Sequence, residues 1–193
     1  MIRALKHYIN RFITLDDDDF ALLSNLGEIR SFDKKTRLVD IGETDHNLNL
    51  VIRGLIRKYF LRGEEEVITQ LAKEGELVSS SVSFLRKEPS GYIIETIEPT
   101  VLFSISQENV EHLYQLDTKW ERLGRLIITD LYVKKESRDL DFIRYNTRER
   151  FLRFVEEHPE YLIRVPQKYL ASYLQIQPET FSRLKHLLYR ERV

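Results

Sequence analysis

Hydrogen-bonding side chains are concentrated on one side of a short helical pattern near the C-terminus. We expect this helix to begin at Pro178, whose fixed φ suits a first helical position, with Gln177 capping it. Its apolar face consists of Phe181, Leu184, Leu187 and Leu188. Its opposite face consists of Glu179, Thr180, Ser182, Arg183, Lys185 and His186. Such a helix can pack one side on its own domain while the other side offers donors and acceptors to DNA base edges and phosphates.

A second helical pattern precedes this one and is placed to support it. Pro166 favours a helix start at the next residue, and Ala171 stands where two helices must approach closely. The apolar positions of this first helix are Tyr169, Leu170, Tyr173 and Leu174. We count Lys168, which also lies on it, with the DNA-binding residues. The two patterns and the turn at Gln175 predict a helix-turn-helix, and the alternative is an ordinary helical hairpin packed in a core.

Charge is divided unevenly along the chain. Residues 1–141 hold 20 Lys and Arg against 25 Asp and Glu, a net charge of −5, although the whole chain has a net charge of only −1. Residues 142–193 hold 10 against 6, a net charge of +4. This distribution favours contact with phosphate in the C-terminal part alone, and the alternative is chance unevenness over a short stretch.

Short alternating runs between residues 29 and 105 predict a β domain. The candidate strands are Ile29 to Phe32, Thr36 to Asp40, Asn49 to Arg53, Leu55 to Leu61, Glu66 to Leu71, Tyr92 to Ile97 and Val101 to Ile105. Six of the seven glycines in the chain lie between Gly27 and Gly91, where they separate these runs. Strands of this number and spacing are typical of a sandwich or jelly roll.

From about Thr118 through Arg144 the chain contains no proline and only Gly124, which predicts one long helix. Its apolar seam consists of Trp120, Leu123, Ile127 and Leu131. Because the β domain can cover only one face of such a helix, we expect the seam to meet a second copy of the chain in a parallel coiled coil. The alternative is that the helix packs wholly within one chain. Farther on, the short β-branched stretch from Tyr161 to Val165 is interpreted as a strand of a small wing.

Several of these segments resemble the cyclic-AMP receptor protein and fumarate-nitrate regulator family of bacterial transcription factors. The motifs that carry the resemblance are Ile41-Gly42-Glu43, the run from Leu48 to Gly54, Gly75-Glu76-Leu77-Val78, and Glu179-Thr180 followed by Arg183. In this order they extend over nearly the entire chain. The resemblance implies an α+β protein with an N-terminal β jelly roll of the cyclic-nucleotide-binding type, a long dimerisation helix and a C-terminal (winged) helix-turn-helix. The corresponding boundaries are 1–117, 118–144 and 145–193.

The same resemblance implies roles for the polar face. Arg183 would donate to a guanine, Glu179 would accept from a cytosine amino group, and Thr180 or Ser182 would contact phosphate or base edges. The sequence departs from the family where Gln175 replaces the usual glycine of the turn and Pro178 replaces an arginine or serine. The implied partners are double-stranded DNA and a second copy of the chain, with RNA polymerase as a further one.

The pocket for cyclic AMP lacks its charged ligands. Family members that bind this nucleotide use a Glu for the ribose and an Arg for the cyclic phosphate, and these positions fall on Ser80 and Ser90. Arg86 lies four residues before the Arg position, and the alternative is that it is a solvated surface residue. Together with Ser79 and Ser81, these residues make up a candidate effector pocket. We therefore expect the domain to have no affinity for cyclic AMP, while another small-molecule effector is left open.

Composition argues against several classes of protein. The chain contains no cysteine, so disulfides, thiolate metal sites and cysteine-held iron–sulfur sensing are excluded. The five histidines are dispersed, none recurs at metal-ligand spacing, and no nucleotide-binding or hydrolase motif is present, so we expect neither a metal site nor an enzyme. No apolar run has the length of a membrane span and the N-terminal residues do not form a signal peptide, so we expect a cytoplasmic location without membrane contact. The alternative function is a ligand-binding or protein-interaction module whose helix-turn-helix has lost DNA affinity.

Overall fold

The computed structural model describes residues 2–190 as two β-sheets followed by a long helix and a helical C-terminal region. The strands are β1 (Gly27–Phe32), β2 (Arg37–Val39), β3 (Asn47–Arg53), β4 (Ile56–Arg62), β5 (Glu65–Ala72), β6 (Leu77–Val78), β7 (Ile93–Thr96) and β8 (Thr100–Ser106). The helices are α1 (Ile2–Ile9), α2 (Asp17–Leu26), α3 (Ser81–Arg86), α4 (Gln107–Leu116), α5 (Thr118–Arg144), α6 (Thr147–Glu157), α7 (Tyr161–Arg164), α8 (Gln167–Tyr173) and α9 (Pro178–Arg190).

The strands form two antiparallel four-stranded sheets, ordered β1-β8-β3-β6 and β2-β7-β4-β5. Apolar side chains from both sheets pack between them, including Val51 of β3, Ile56 of β4, Ile94 of β7 and Leu102 of β8. Each strand predicted from the sequence is confirmed with small changes at its ends. Strand β6 was missed, because two residues are too few to show an alternating pattern.

The outer face of the first sheet is covered by helices from both ends of the β domain. Side chains of α1, α2, α4 and the beginning of α5 pack there against Leu50, Phe103 and Ile105. Helix α2 begins with an N-cap at Asp16, whose side chain accepts a hydrogen bond from the Asp19 amide at 2.8 Å. This layer contains the first turns of the long helix, so α5 starts as part of the domain core.

The long helix is confirmed as α5, but two of its seam residues require a correction. Trp120 and Leu123 are only 2% and 7% exposed, because α1, α2 and α4 of the same chain already cover them. The sequence predicts that these two residues face a second copy of the chain, and this part of the prediction is corrected. Ile127 is partly buried in the same cluster, and Leu131 is 38% exposed. The first half of the seam thus belongs to the interior of one chain, which is the alternative that the sequence left open.

The wing strand predicted from Tyr161 to Val165 is wrong, because these residues form the short helix α7 and its C-cap. The reason lies in which side chains must share a face. Tyr161 and Val165 are buried, whereas Ile163 is 89% exposed. An extended strand would place all three on one face, but a helical turn brings Tyr161 and Val165 together and directs Ile163 away from them.

Helices α6 to α9 pack on the outer face of the second sheet. One apolar cluster joins Tyr59, Ile68 and Ile93 of the sheet to buried residues of these helices, among them Phe151 and Leu170. The helix-turn-helix is therefore built on the β domain instead of standing apart from it. Among residues 2–190, no helix is both long enough and apolar enough to cross a membrane.

Candidate nucleic-acid interface

The turn between α8 and α9 ends the first helix with two nested backbone hydrogen bonds. The amide of Ile176 donates to the carbonyl of Ala171, and the amide of Gln175 donates to the carbonyl of Ser172, both at 3.0 Å. This is the Schellman arrangement, which requires a left-handed residue at the position after the cap. Gln175 occupies that position with φ of 54°. The structure thus keeps the turn of the motif and accepts the strain of a non-glycine residue there.

Helix α9 begins at Pro178, as the sequence predicts, and the Gln177 carbonyl accepts the first helical hydrogen bond from the Phe181 amide at 3.0 Å. Phe181 is fully buried and meets Phe151 of α6 edge to face, with ring centroids 5.3 Å apart. Leu184, one turn later, is also buried. These contacts fix which side of α9 faces inward and therefore which side is presented to solvent.

The polar face of α9 is the surface that remains outside. Glu179, Arg183 and the neighbouring His186 are exposed, and Ser182 lies half-buried among them, so these four side chains line one shallow surface. Thr180 and Lys185 are half-buried at its sides, while Gln177 is exposed at its N-terminal end. Lys168 is exposed on α8. The predicted DNA-binding residues thus all reach the surface at least in part, and none is enclosed in the core.

The candidate effector residues are divided between a buried group and an exposed one. Ser80 and Ser90, which the sequence analysis aligns with the two charged nucleotide ligands of the family, are 1% and 3% exposed. The Ser80 and Ser90 hydroxyl oxygens are hydrogen-bonded 2.8 Å apart, and Ser90 Oγ is also bonded to backbone groups of Tyr92. Ser79 is also buried, whereas Ser81 and Arg86 are exposed on α3. The structure does not bring Arg86 together with the serines.

Two charged residues near these serines were missed by the sequence analysis. Asp45 is buried and accepts a hydrogen bond from the Ser80 amide at 2.6 Å, and burial raises the pKa of its carboxyl. Lys58 donates from Nζ to the Ser79 carbonyl at 3.2 Å, and burial lowers the pKa of its ammonium to about 8. A signal for Lys58 was present, because alternation along β4 places it on the same side as Ile56 of the inter-sheet core.

Ion pairs fasten the C-terminal helices to the β domain. The Arg164 guanidinium of α7 donates to both carboxyl oxygens of Glu74, at 2.9 and 2.8 Å, and also to Glu98. Lys73 pairs with Glu160 at the start of α7. Burial alone would raise the pKa values of Glu74 and Glu160, but hydrogen bonds from Arg164 and Lys73 hold both below their ordinary values. Both pairs therefore favour the docked arrangement when the carboxyl groups are ionised.

Several solved structures are similar to this chain in fold. FixK2 from Bradyrhizobium japonicum superposes with a TM-score of 0.72 at 20% identity, over 86% of this chain and 86% of that one. The c-di-GMP responsive global regulator CLP from Xanthomonas campestris gives 0.65 at 18% identity, over 91% and 93%. A cyclic nucleotide-binding domain from Methylobacillus flagellatus gives 0.65 at 12% identity, over 74% and 82%.

No family model and no curated protein sequence matches the chain. The structural likenesses establish the fold, which is a β domain of the cyclic-nucleotide-binding type joined through a long helix to a helix-turn-helix. They confirm the α+β fold class predicted from the sequence.

Replacing Gln175 with glycine should stabilise the chain. Glycine adopts the left-handed conformation of this turn without a Cβ clash, so Gln175→Gly should raise the free energy of unfolding by up to about 1 kcal/mol. Urea denaturation would measure the change. Gln167→Gly is the matched control, because the same substitution at the first residue of α8, which needs no left-handed conformation, should not raise stability. Destabilisation by Gln175→Gly would contradict the left-handed turn.

Acid should release the C-terminal helices before the sheets unfold. The pKa values of Glu74 and Glu160 are lowered in the folded chain, so their stabilisation is complete above the ordinary value of 4.5 and is lost as pH falls through the lower folded-state values. Hydrogen-exchange protection of α7 and α8 should therefore fall between about pH 5 and pH 3 more steeply than that of β3 and β8.

Glu74→Gln supplies the control for this titration. The variant should show weaker protection of α7 at neutral pH and a smaller further loss in acid, since one of the titrating carboxyl groups is gone. Equal loss of protection in α7, α8, β3 and β8 at every pH would contradict the assignment of the transition to these ion pairs.

Proposed function

We propose that this chain, which has the fold of the cyclic-AMP receptor protein and fumarate-nitrate regulator family, is a homodimeric transcription regulator that binds DNA sequence-specifically. The observation that supports it most directly is the outward polar face of α9, where Glu179, Ser182 and Arg183 share one surface. Phe181 and Leu184 hold the inner side of the helix, so its outer side can enter a major groove and present the three polar side chains to the bases. RNA polymerase is a further partner in this proposal.

Each residue of the polar face has a role in this proposal. The Arg183 guanidinium donates to two acceptors of a guanine, and the Glu179 carboxylate accepts from a cytosine amino group. Thr180 and Ser182 have short hydroxyl side chains suited to phosphate or nearby base edges, while Gln177 lies at the entry of the helix. Lys168 and Lys185 supply positive charge to the phosphates and add affinity without sequence preference.

A dimer places two such helices on successive turns of DNA, about 34 Å apart. The exposed side of α5 offers a surface for this association, since Ile128 and Tyr132 are 54% and 61% exposed and lie next to Leu131. Residues at these spacings fall on one side of a helix and can pair with a symmetry mate. We therefore place the dimer contact on this part of α5 and leave Trp120 and Leu123 to the chain's own core.

Cyclic AMP is not the effector in this proposal. Binding its phosphate would require charge at positions where Ser80 and Ser90 are buried and bonded to each other. A nucleotide would have to break that bond and would gain no cation in return from these two residues. Another small molecule that binds the β domain would act by shifting the population of dimers whose recognition helices match the two half-sites.

Selection from a random DNA library followed by gel shifts would test the DNA-binding role. The difference in binding free energy between the selected site and a site that lacks the guanine should fall by about 1–3 kcal/mol in Arg183→Ala, because the bidentate donor is lost. Lys168→Ala should weaken binding to both sites equally and lower the salt dependence by about one phosphate contact. Arg62→Ala, at the exposed end of β4, is the control that should change neither. Equal binding to selected and scrambled DNA, or none at low salt, would support the interaction-module alternative.

Calorimetric titration with cyclic AMP and cyclic GMP would test the ligand side of the proposal. The paired hydroxyls of Ser80 and Ser90 predict no measurable binding in the micromolar range. Binding should also be absent at pH 6 and pH 9, on either side of the value of about 8 to which burial lowers the pKa of Lys58. A micromolar dissociation constant at either pH would contradict the proposal that cyclic nucleotides do not control this protein.

A further inference from the structure

An arginine of the β domain stands at the junction with the helix-turn-helix. Arg57 of β4 is only 3% exposed, and alternation along the strand directs it away from the inter-sheet core. Its Nη1 and Nη2 atoms donate to the two carboxyl oxygens of Glu66 at 2.6 and 3.0 Å. Its Nε and Nη2 atoms donate to Glu95 at 3.1 and 2.9 Å. The guanidinium plane is therefore fixed by two carboxylates of its own domain.

Two aromatic rings lie against this fixed guanidinium. The Cζ atom of Arg57 lies over the ring of Tyr59 in the same strand, 4.1 Å from its centroid, and over the ring of Tyr169 in α8, 4.0 Å from its centroid. Arginine stacks well on aromatic faces because its charge is delocalised over a plane, and the attraction is strongest where water is excluded. Arg57 thus links the sheet to the first helix of the helix-turn-helix through Tyr169.

Helix α8 is held to the same sheet at two further points. The Ser172 hydroxyl accepts from the Ile68 amide at 2.9 Å and donates to the Glu66 carbonyl at 2.8 Å, so it completes hydrogen bonds at the free edge of β5. Arg138 of α5 donates to the Tyr173 carbonyl at 3.2 Å and to the Thr69 carbonyl. Three contacts at different points of a short helix fix its direction as well as its position.

Helix α9 inherits this orientation from α8. Only residues 174–177 separate the two helices, and the Schellman bonds of Ile176 and Gln175 leave this turn little freedom. Leu170 and Ala171 of α8 share one apolar cluster with Phe181 and Leu184 of α9. A rotation of α8 on the sheet would therefore carry the exposed face of α9 with it.

We infer that Arg57 is a positioning residue for DNA recognition, which acts through Tyr169 to set the distance and angle between the two recognition helices of the dimer. The inference rests on the proposed function and adds to it the group that fixes half-site spacing. The polar face of α9 decides which bases are read, and the stack of Tyr59, Arg57 and Tyr169 decides where along the duplex the second copy reads them.

The test uses the full-length protein and operators whose half-sites are separated by the selected spacer or by one base pair more or fewer. The wild type should prefer its own spacer by about tenfold or more, since each base pair displaces and rotates the second half-site. Tyr169→Leu removes the ring and leaves Arg57 paired with Glu66 and Glu95, so the preference should fall to about threefold or less. Tyr169→Phe keeps the ring and should retain the preference.

A readout for a single half-site separates positioning from general damage. Affinity for DNA with one half-site should be unchanged in Tyr169→Leu, because the polar face of α9 is intact. Arg57→Lys, which keeps the charge and loses the planar stack, should show the same loss of spacer preference. If half-site binding fell in step with spacer preference in both variants, the role would be merely structural and the inference would be overturned.

The remaining outcomes distinguish this inference from the function on which it rests. If the wild type binds its operator and Tyr169→Leu shows the same spacer preference as the wild type, the positioning role is overturned and the proposed DNA-binding function still holds. No sequence-specific binding by the wild type would overturn both. Loss of preference in Tyr169→Leu and Arg57→Lys, with retention in Tyr169→Phe, is the result that supports the positioning role.

Discussion

The constraint on which the rest of the structure depends is that the sheet β2-β7-β4-β5 must be covered on both faces. One face packs against the other sheet through Ile56 and Ile94, whereas the opposite face carries Leu55, Tyr59 and Ile93. An antiparallel sheet exposed to water on one side would carry polar residues there. The C-terminal helices cover this face. The same apolar contacts therefore bury the sheet and fix the position of the helix-turn-helix.

Much of the fold follows from local patterns in the sequence. Strand alternation, helix caps and prolines predict the β domain, α5, α8 and α9, because each signal lies within a few residues of the element it defines. The errors lie where distant segments decide the outcome. Trp120 and Leu123 show helical spacing, but only the placement of α1 and α2 shows which partner buries them. The contact between Arg57 and Tyr169 has no local signature at all, since 112 positions separate the two residues in the sequence.

The serine pair in the β domain shows how this fold can accommodate neutral residues at buried positions where the sequence comparison expects charged ligands. A buried Glu and Arg need each other or a ligand, and leaving one unpaired in the interior is strongly unfavourable. Ser80 and Ser90 avoid this requirement, because their hydroxyls are neutral, are hydrogen-bonded 2.8 Å apart, and leave no buried charge unpaired. The remaining charge at the site belongs to Asp45 and Lys58, which are tied to backbone groups of the serine segment. The sequence indicates serines at these positions but cannot show that their hydroxyls are hydrogen-bonded to each other.

The basic excess of the C-terminal part is shared between two surfaces. Arg164 faces the β domain, where Glu74 and Glu98 receive it, whereas Lys168 and Arg183 are exposed. Arg164 is therefore neutralised within the chain, whereas Lys168 and Arg183 are the cations that the proposed function assigns to DNA. Half-buried ion pairs are screened less by salt than exposed charges are, so salt should weaken contact with phosphate before it loosens the docked helices. In the proposed function this division leaves Lys168 and Arg183 available to phosphates while Arg164 stays paired with Glu74 and Glu98 of the β domain.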